Sequence, residues 1–143
     1  MSYIFDEKVN EKLNASECLN KVCIYNEGNF YIDCKYFKYL LKNKIHVQII
    51  TKHMEDIFSN AFRDNSKYSV HICLKGVTIS DCDKHRIFAR DLSCKLYYLC
   101  ENDPDNALQN LYIYNPSSII SALHRIFDMF CHADTKKKII MVK

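Results

Sequence analysis

Glycine and proline are nearly absent from this chain, which has two of each among its 143 residues. An average composition of about 7% Gly and 5% Pro would give roughly ten and seven. Tight hairpins need residues with positive φ, so the scarcity excludes a β-protein built from many hairpins. It also excludes collagen-like, proline-rich and Gly/Ser-linker chains. The chain must therefore turn mainly through helix caps and through Asn, Asp and Ser.

Hydrophobic periodicity predicts strands that alternate with helices. Strands are predicted at 22–25, 30–32, 45–50, 68–74, 110–114 and 138–142, the first two forming a hairpin around Gly28. Helices are predicted at 7–20, 34–42, 53–63, from Asp81 or Asp83 to about Cys100, and at 118–130 after a Ser117 cap. This order predicts an α/β fold with a mixed, largely parallel sheet of about five strands covered by helices. We expect one compact domain over residues 1–143, in which residues 1–20 form an N-terminal segment with a weak helical pattern.

The bulk composition indicates a cytoplasmic protein without a transmembrane segment. Its first residues lack the basic and apolar regions of a signal peptide, and no apolar run approaches the roughly 20 residues of a membrane-spanning helix. The eight Cys lie among periodic apolar segments, so we expect reduced and mostly buried thiols. A net charge of +3 is too small to indicate a nucleic-acid partner. The abundance of Tyr, Lys, Asn and Ile is typical of an AT-rich genome, such as that of some protists and large DNA viruses.

Motifs for catalysis and for cofactors are weak. Gly28 and Gly76 are too far apart for a glycine-rich phosphate-binding loop. Cys82 and His85 have the spacing of metal ligands, but no second pair accompanies them, so we expect no metal site and no cofactor. Cys73, at the end of a predicted central strand, is the best candidate for a nucleophile. A small buried hydrophobic side chain is its more ordinary role.

Several motifs in the second half of the chain follow one another in a recognisable order. They are the strand and turn at 70–80, the Asp103-Pro104-Asp105 turn, the strand at 108–116, the helix at 118–130 and the approach to the last strand at 133–139. Over residues 68–142 this pattern resembles the CRAL-TRIO domain, the lipid-binding fold of phosphatidylinositol-transfer proteins. Asn115-Pro116-Ser117-Ser118 is similar to the divergent BCH-type branch, many of whose members are protein-interaction modules.

The chain also departs from that family. Cys73 stands where the family has Asp, and Asp103 stands where it has Tyr. The sequence ends directly after the last predicted strand, and only about twenty residues precede the first. We therefore expect neither the C-terminal lid nor the N-terminal helical domain of the lipid-transfer members.

Three functions are compatible with these features, and the first is preferred. The resemblance implies a non-enzymatic binding module that acts through a protein partner or through self-association. The alternative is binding of a phospholipid or another lipophilic small molecule in a pocket floored by the sheet, and the second alternative is a thiol-dependent enzyme. The pocket candidates are Ile72, Leu74, Ile113 and Tyr114 on the floor and Leu123, Phe127 and Phe130 on the wall. The candidates for contact with anionic head groups are Lys136, Lys137 and Lys138.

Overall fold

The computed structural model describes residues 5–6, 8–43, 45, 47–64, 67–101, 107–115 and 137–142. Its helices in these ranges are α1 (Ala15–Val22), α2 (Cys34–Lys42), α3 (Val47–Asp64), α4 (Ile79–Lys84) and α5 (Arg86–Glu101). Its strands there are β1 (Cys23–Asn26), β2 (Asn29–Asp33), β3 (Lys67–Cys73), β4 (Ala107–Tyr114) and β5 (Ile139–Val142).

The five strands form one sheet in the order β1-β2-β3-β4-β5. The β1–β2 hairpin is antiparallel, and the other three pairings are parallel. The predicted mixed, largely parallel sheet covered by helices is therefore confirmed. Helices α2 and α3 connect β2 to β3, and α4 and α5 connect β3 to β4. Both crossovers step to the next strand in the same direction, so right-handed connections place these helices on one face of the sheet.

The main core lies between that face and the helices. From α3, Ile50, Met54 and Phe58 are all almost completely buried against the sheet. Phe30 of β2 stacks on Phe58, with ring centroids 4.0 Å apart and planes nearly parallel. Leu92 of α5 is buried in the same cluster. Met54 and Phe58 have i, i+4 spacing on α3, which explains why the helical periodicity at 53–63 was visible in the sequence.

The strand predicted at 45–50 is wrong, because α3 already begins at Val47. Ile45, Val47 and Ile49 alternate with polar residues and would share one face of a strand. In the structure Val47 and Ile49 are 42% and 53% exposed, while Ile50 is fully buried. Ile50 continues the i, i+4 series of Met54 and Phe58, so burial of the helical face prevails over the short alternating pattern.

The predicted start of the long helix is also corrected. Thr78, rather than Asp81 or Asp83, caps α4, and its hydroxyl accepts from the backbone N–H of Asp81 at 3.1 Å. The Asp81 carboxylate accepts in turn from the Thr78 backbone N–H at 2.9 Å, which completes a reciprocal capping box. At His85 the helical segment is interrupted, and α5 begins at Arg86.

Helix α1 is shorter than the predicted helix over 7–20. It begins at Ala15, after an Asn14 cap whose side chain accepts from the Glu17 backbone N–H at 2.9 Å. Both Val9 and Leu13, which suggested the longer helix, lie before it as partly buried residues packed on the core.

Both glycines adopt the left-handed backbone that their scarcity suggests. The φ angles are +80° at Gly28 and +82° at Gly76, the first in the β1–β2 turn and the second after β3. Pro104, Pro116 and the predicted helix at 118–130 with its Ser117 cap lie outside the described residues. Within the described residues, no helix combines the length and hydropathy needed to cross a membrane.

The two glycines offer a matched pair for measuring backbone strain. A Cβ at Gly28 would lie 3.3 Å from the carbonyl oxygen of Lys67, whereas a Cβ at Gly76 would meet nothing closer than 3.9 Å. Both alanine variants force an L residue into the left-handed region, which costs about 1–2 kcal/mol. We expect Gly28→Ala to lower the free energy of unfolding more than Gly76→Ala in urea titrations, because only the former crowds a backbone atom. Equal losses would contradict this account of the Gly28 turn.

Candidate functional site

The sheet has two chemically different faces. On the helix-covered face, strand alternation places the apolar residues Phe30, Val70 and Leu111 side by side on β2, β3 and β4. One residue further along each strand, Tyr31, His71 and Tyr112 lie in register on the opposite face. Because α2 to α5 pack on the first face, the second is the face that these helices leave uncovered.

The rings of Tyr31, His71 and Tyr112 stand next to one another across the three strands. The His71 ring is stacked with that of Tyr31 at a centroid distance of 4.6 Å and with that of Tyr112 at 4.7 Å. Tyr114, two residues beyond Tyr112, lies 5.8 Å from the imidazole. We call Tyr31, His71, Tyr112 and Tyr114 the aromatic face. Tyr31 and His71 are almost fully buried, whereas Tyr112 and Tyr114 are half-buried.

Phe5 lies over part of the aromatic face. Its ring is 6.0 Å from that of Tyr31 in an edge-to-face arrangement and 5.4 Å from that of Tyr114. Aromatic pairs in such geometries contribute about 0.5–1.5 kcal/mol beyond their buried area. Phe5 therefore covers one side of the aromatic face with an apolar ring.

Both nitrogens of His71 have hydrogen-bond partners. Nε2 lies 3.0 Å from Oδ1 of Asn29, and Nδ1 lies 2.8 Å from the hydroxyl of Tyr114. Because an amide oxygen can only accept, we assign the proton to Nε2, which leaves Nδ1 to accept from the Tyr114 hydroxyl. The imidazole is thus held as one neutral tautomer between a strand on each side.

Burial favours the neutral form of both ionisable groups in this network. It lowers the pKa of His71 and raises the pKa of Tyr114, so both side chains are kept neutral. The aromatic face therefore presents ring edges and neutral hydroxyls rather than charge. Such a surface suits a ligand with an apolar body and few polar groups.

A buried ion pair marks the carboxyl end of β2. Nζ of Lys35 lies 2.6 Å from Oδ2 of Asp33, and the two side chains are only 6% and 5% exposed. The other carboxylate oxygen, Oδ1, has no hydrogen-bond partner among the described residues. Burial raises the pKa of Asp33, although the Lys35 ammonium opposes that shift. Strand alternation places Asp33 on the same face as Tyr31.

The predicted pocket floor does not form a single surface. Ile72 and Ile113 pair across β3 and β4 on the helix-covered face, and Ile113 is fully buried there. Leu74 packs with Ile113 and lines a small apolar cleft of about 130 Å³ between α2, α4 and α5. Tyr114 alone among the four floor candidates belongs to the aromatic face. Sequence alternation separates Tyr114 from Ile113, but the prediction placed both on one floor.

The remaining candidates are divided between described and undescribed parts of the chain. Lys137 is exposed and Lys138 is half-buried just before β5. The candidates Leu123, Phe127, Phe130 and Lys136 lie outside the described residues.

Thiol and metal chemistry find little support in the described residues. Their six cysteines are all free, and Cys73 is 2% exposed with Asn115 Nδ2 at 3.8 Å from its sulfur. Burial raises the pKa of both Cys34 and Cys82, which disfavours their thiolates. Across the part of the chain that the structure describes, no three His, Cys, Asp or Glu side chains come together as a metal site.

Sequence reasoning missed Tyr31, His71 and Tyr112. Each alternates along its strand with apolar residues that were recognised, so this alternation could have placed all three on the opposite face of the sheet. Their contact depends on the register between neighbouring strands, and the parallel register is set by the crossover helices rather than by a turn.

Comparison with solved structures identifies the type of fold. The chain superposes on the crystal structure of Sfh5 with a TM-score of 0.66 and 15% identity, over 95% of this chain and 51% of that one. Sfh5 has a CRAL-TRIO fold. The fold of this chain is CRAL-TRIO-like. The likeness supports the family resemblance at the level of fold and does not support the BCH-type branch.

The likeness covers about half of the Sfh5 chain. No protein-family model matches the sequence, and no curated protein matches it. The candidate site is the aromatic face, because its ring contacts and hydrogen bonds bring polar side chains of three strands together.

The hydrogen bond between Tyr114 and His71 can be removed without changing ring packing. Tyr114→Phe leaves the buried Nδ1 of His71 without a donor, so we expect the free energy of unfolding to fall by about 1–3 kcal/mol. Tyr98→Phe is the matched control, since Tyr98 is 66% exposed and its variant is expected to match the unmodified protein. Urea titration measures both, and an unchanged Tyr114→Phe would contradict the assigned donor.

The neutral His71 also predicts a pH dependence of stability. Its pKa is lower in the folded protein than the ordinary value of 6.5, so the unfolded chain binds a proton first as pH falls. This contribution to stability is present above pH 6.5 and is lost progressively at lower pH, down through the folded-state pKa. We expect His71→Phe to show a shallower loss of stability below pH 6.5 than the unmodified chain, with His85→Gln as control. Parallel pH profiles for His71→Phe and the unmodified chain would overturn the expectation.

Proposed function

We propose that this chain is a non-enzymatic binding protein that holds a lipophilic molecule against the aromatic face. The observation that carries the proposal is the row of Tyr31, His71 and Tyr112 on the sheet face opposite the helices, with Phe5 lying over it. CRAL-TRIO domains include lipid-binding phosphatidylinositol-transfer proteins, and the CRAL-TRIO-like fold is consistent with such a ligand.

The chemistry of the face favours a ligand with a large apolar part. Tyrosine rings supply apolar area while their hydroxyls provide hydrogen bonds at the tips. The imidazole is neutral and has both nitrogens engaged, so it offers no charge to a strongly ionic ligand. Covering the half-buried Tyr112 and Tyr114 with an acyl or ring system would remove further apolar surface from water, at about 25 cal/mol per Å².

Lysines near β5 extend the proposal to lipids with anionic head groups. Lys137 is exposed, and Lys138 precedes Ile140 and Val142, whose register places them beside Tyr112 and Tyr114. A basic side chain near a membrane surface contributes about 1 kcal/mol of attraction to anionic lipid. A phospholipid is therefore the ligand class that we favour.

This proposal reverses the order of the two functions favoured by the sequence. The preferred prediction was a binding module that acts through a protein partner or through self-association, and lipophile binding was the alternative. The aromatic face supports the alternative because its groups are partly covered, neutral and aromatic. A BCH-type role in protein interaction stays a prediction.

Native mass spectrometry and a fluorescent fatty acid test the proposal on the whole chain. We expect lipid to be retained during purification, or cis-parinaric acid to bind saturably to the delipidated protein. Tyr112→Lys places a charge on the aromatic face and should raise the dissociation constant by about tenfold or more, because an unpaired charge against an apolar ligand is costly.

Ile79→Lys is the matched control, because Ile79 is 48% exposed on α4, on the other side of the sheet. It should bind cis-parinaric acid like the unmodified chain. The proposal fails if neither retained lipid nor saturable binding is found, or if Tyr112→Lys and Ile79→Lys bind alike while both remain folded by circular dichroism.

A further inference from the structure

Helix α5 carries a stripe that the lipophile site does not use and that is exposed except at the half-buried Cys94. Its members are Ile87, Asp91, Cys94 and Tyr98, which follow one another at intervals of four, three and four residues. We call them the α5 stripe. This spacing keeps side chains on one side of a helix and is the spacing found along the seam between packed helices. Leu92, on the inner side of α5, is buried in the core, so the stripe faces away from it.

The ends of the stripe are unusually apolar for a protein surface. Ile87 is 62% exposed and Tyr98 is 66% exposed, the two highest values for large apolar side chains in the described part of the chain. Ile87 and Tyr98 lie about 16 Å apart along the helix, so they offer two separate apolar contacts that one partner helix can cover.

A groove between α3 and α5 lies beside the stripe. It has a volume of about 810 Å³, and Ile87, Asp91 and Cys94 are among the residues that line it from α5. Val47 lines the end near Ile87 and is itself 42% exposed. The groove therefore adds an apolar end to the surface beside the stripe.

Charges lie between the apolar ends in an order that is complementary to itself. Along α5 the order is Ile87, Asp91, Lys95 and Tyr98, that is, apolar, acidic, basic and apolar. If a second α5 lies antiparallel, with a two-fold axis near Ser93, Ile87 faces Tyr98 of the second copy. The same axis brings Asp91 opposite Lys95 of the second copy, so both apolar contacts and both charge pairs form at once.

We propose that a second copy of this chain docks antiparallel along the α5 stripe, with its own α5 beside the groove between α3 and α5. A two-fold interface uses the same patch on both subunits, which requires a self-complementary surface. The rest of the groove also carries both signs, since Lys52, Glu55 and Lys95 line it and Lys95 lies 3.7 Å from Glu55. A partner with charges of a single sign would meet repulsion along half of this surface, so a second copy fits it better.

The dimer is independent of the lipophile site. The α5 stripe lies on the helical layer, whereas the aromatic face lies on the other side of the sheet. A monomer that binds cis-parinaric acid would overturn the dimer alone, and a dimer without a ligand would overturn the lipophile proposal alone.

Sedimentation equilibrium of the 143-residue chain tests self-association. We expect a concentration-dependent dimer, and Ile87→Glu should weaken it by about tenfold or more, because it buries a charge where an apolar contact was. Ile49→Glu is the matched control, since Ile49 is 53% exposed on α3 and lies outside the stripe. A monomer at every concentration, or equal effects of the two variants, would overturn the proposal.

Charge reversal tests the antiparallel register. Asp91→Lys and Lys95→Glu each place like charges opposite one another, so each should weaken the dimer by roughly tenfold. The double variant restores opposite charges across the two-fold and should recover most of the affinity. Both Lys95→Glu and the double variant lose the contact between Lys95 and Glu55 within one subunit. Recovery of affinity in the double variant would therefore come from the contact between copies. No recovery would contradict the register.

Cross-linking supplies a second measurement of geometry. The two-fold near Ser93 brings Cys94 of each copy within reach of the other across adjacent helices, whose axes pack about 8–10 Å apart. A short bis-maleimide should yield a covalent dimer that Cys94→Ser abolishes and Cys82→Ser retains. A cross-linked dimer that survives Cys94→Ser, or none in the unmodified chain, would overturn this arrangement.

Discussion

The handedness of the crossover connections organises this molecule. Two successive connections, each passing through a pair of helices, join β2 to β3 and β3 to β4 in the same direction across the sheet. Because such connections are right-handed, both place their helices on one face of the sheet, and these helices leave the other face uncovered. Strand alternation then assigns every side chain of the central strands to one environment or the other. One face becomes a conventional apolar core, and the other carries Tyr31, His71 and Tyr112.

The two faces are stabilised by different interactions. On the helix side, Phe30, Phe58 and Ile50 remove large apolar areas from water and pack closely. On the other side, burial disfavours protonation of His71, because a buried imidazolium without a paired charge would be costly. The Asn29 amide and the Tyr114 hydroxyl satisfy both imidazole nitrogens, so the ring remains neutral and fixed. A polar group can therefore occupy the middle of the sheet without an ionic partner.

Helix α5 connects the core to the outer surface. Phe88, Leu92 and Leu96 pack on the main cluster, while Ile87, Asp91 and Tyr98 project elsewhere on the same helix. Helical periodicity alone separates these two sets. The proposed lipophile site and the proposed dimer surface therefore lie on different layers, and substitutions in one need not alter the other.

Local patterns predicted much of the architecture. The alternation of strands and helices predicted the α/β class and the mixed, largely parallel sheet. Local patterns failed where two periods overlap, as at 45–50, where burial of Ile50 beside Met54 selected the helix. The cap at Thr78 was missed although Thr78 and Asp81 have the local spacing of a capping box, so the signal for it was present in the sequence.

What the sequence by itself determined is the alternation of strands and helices and the apolar face of most of them, because helical and strand periods are local properties of side-chain order. It also determined that Gly28 and Gly76 belong at turns with positive φ, because the few glycines of this chain occupy positions where other residues are strained. Only the tertiary structure decided which side chains of neighbouring strands come into contact. The contact of Tyr31, His71 and Tyr112 requires the register of three parallel strands, and long crossovers leave that register open until the helices pack.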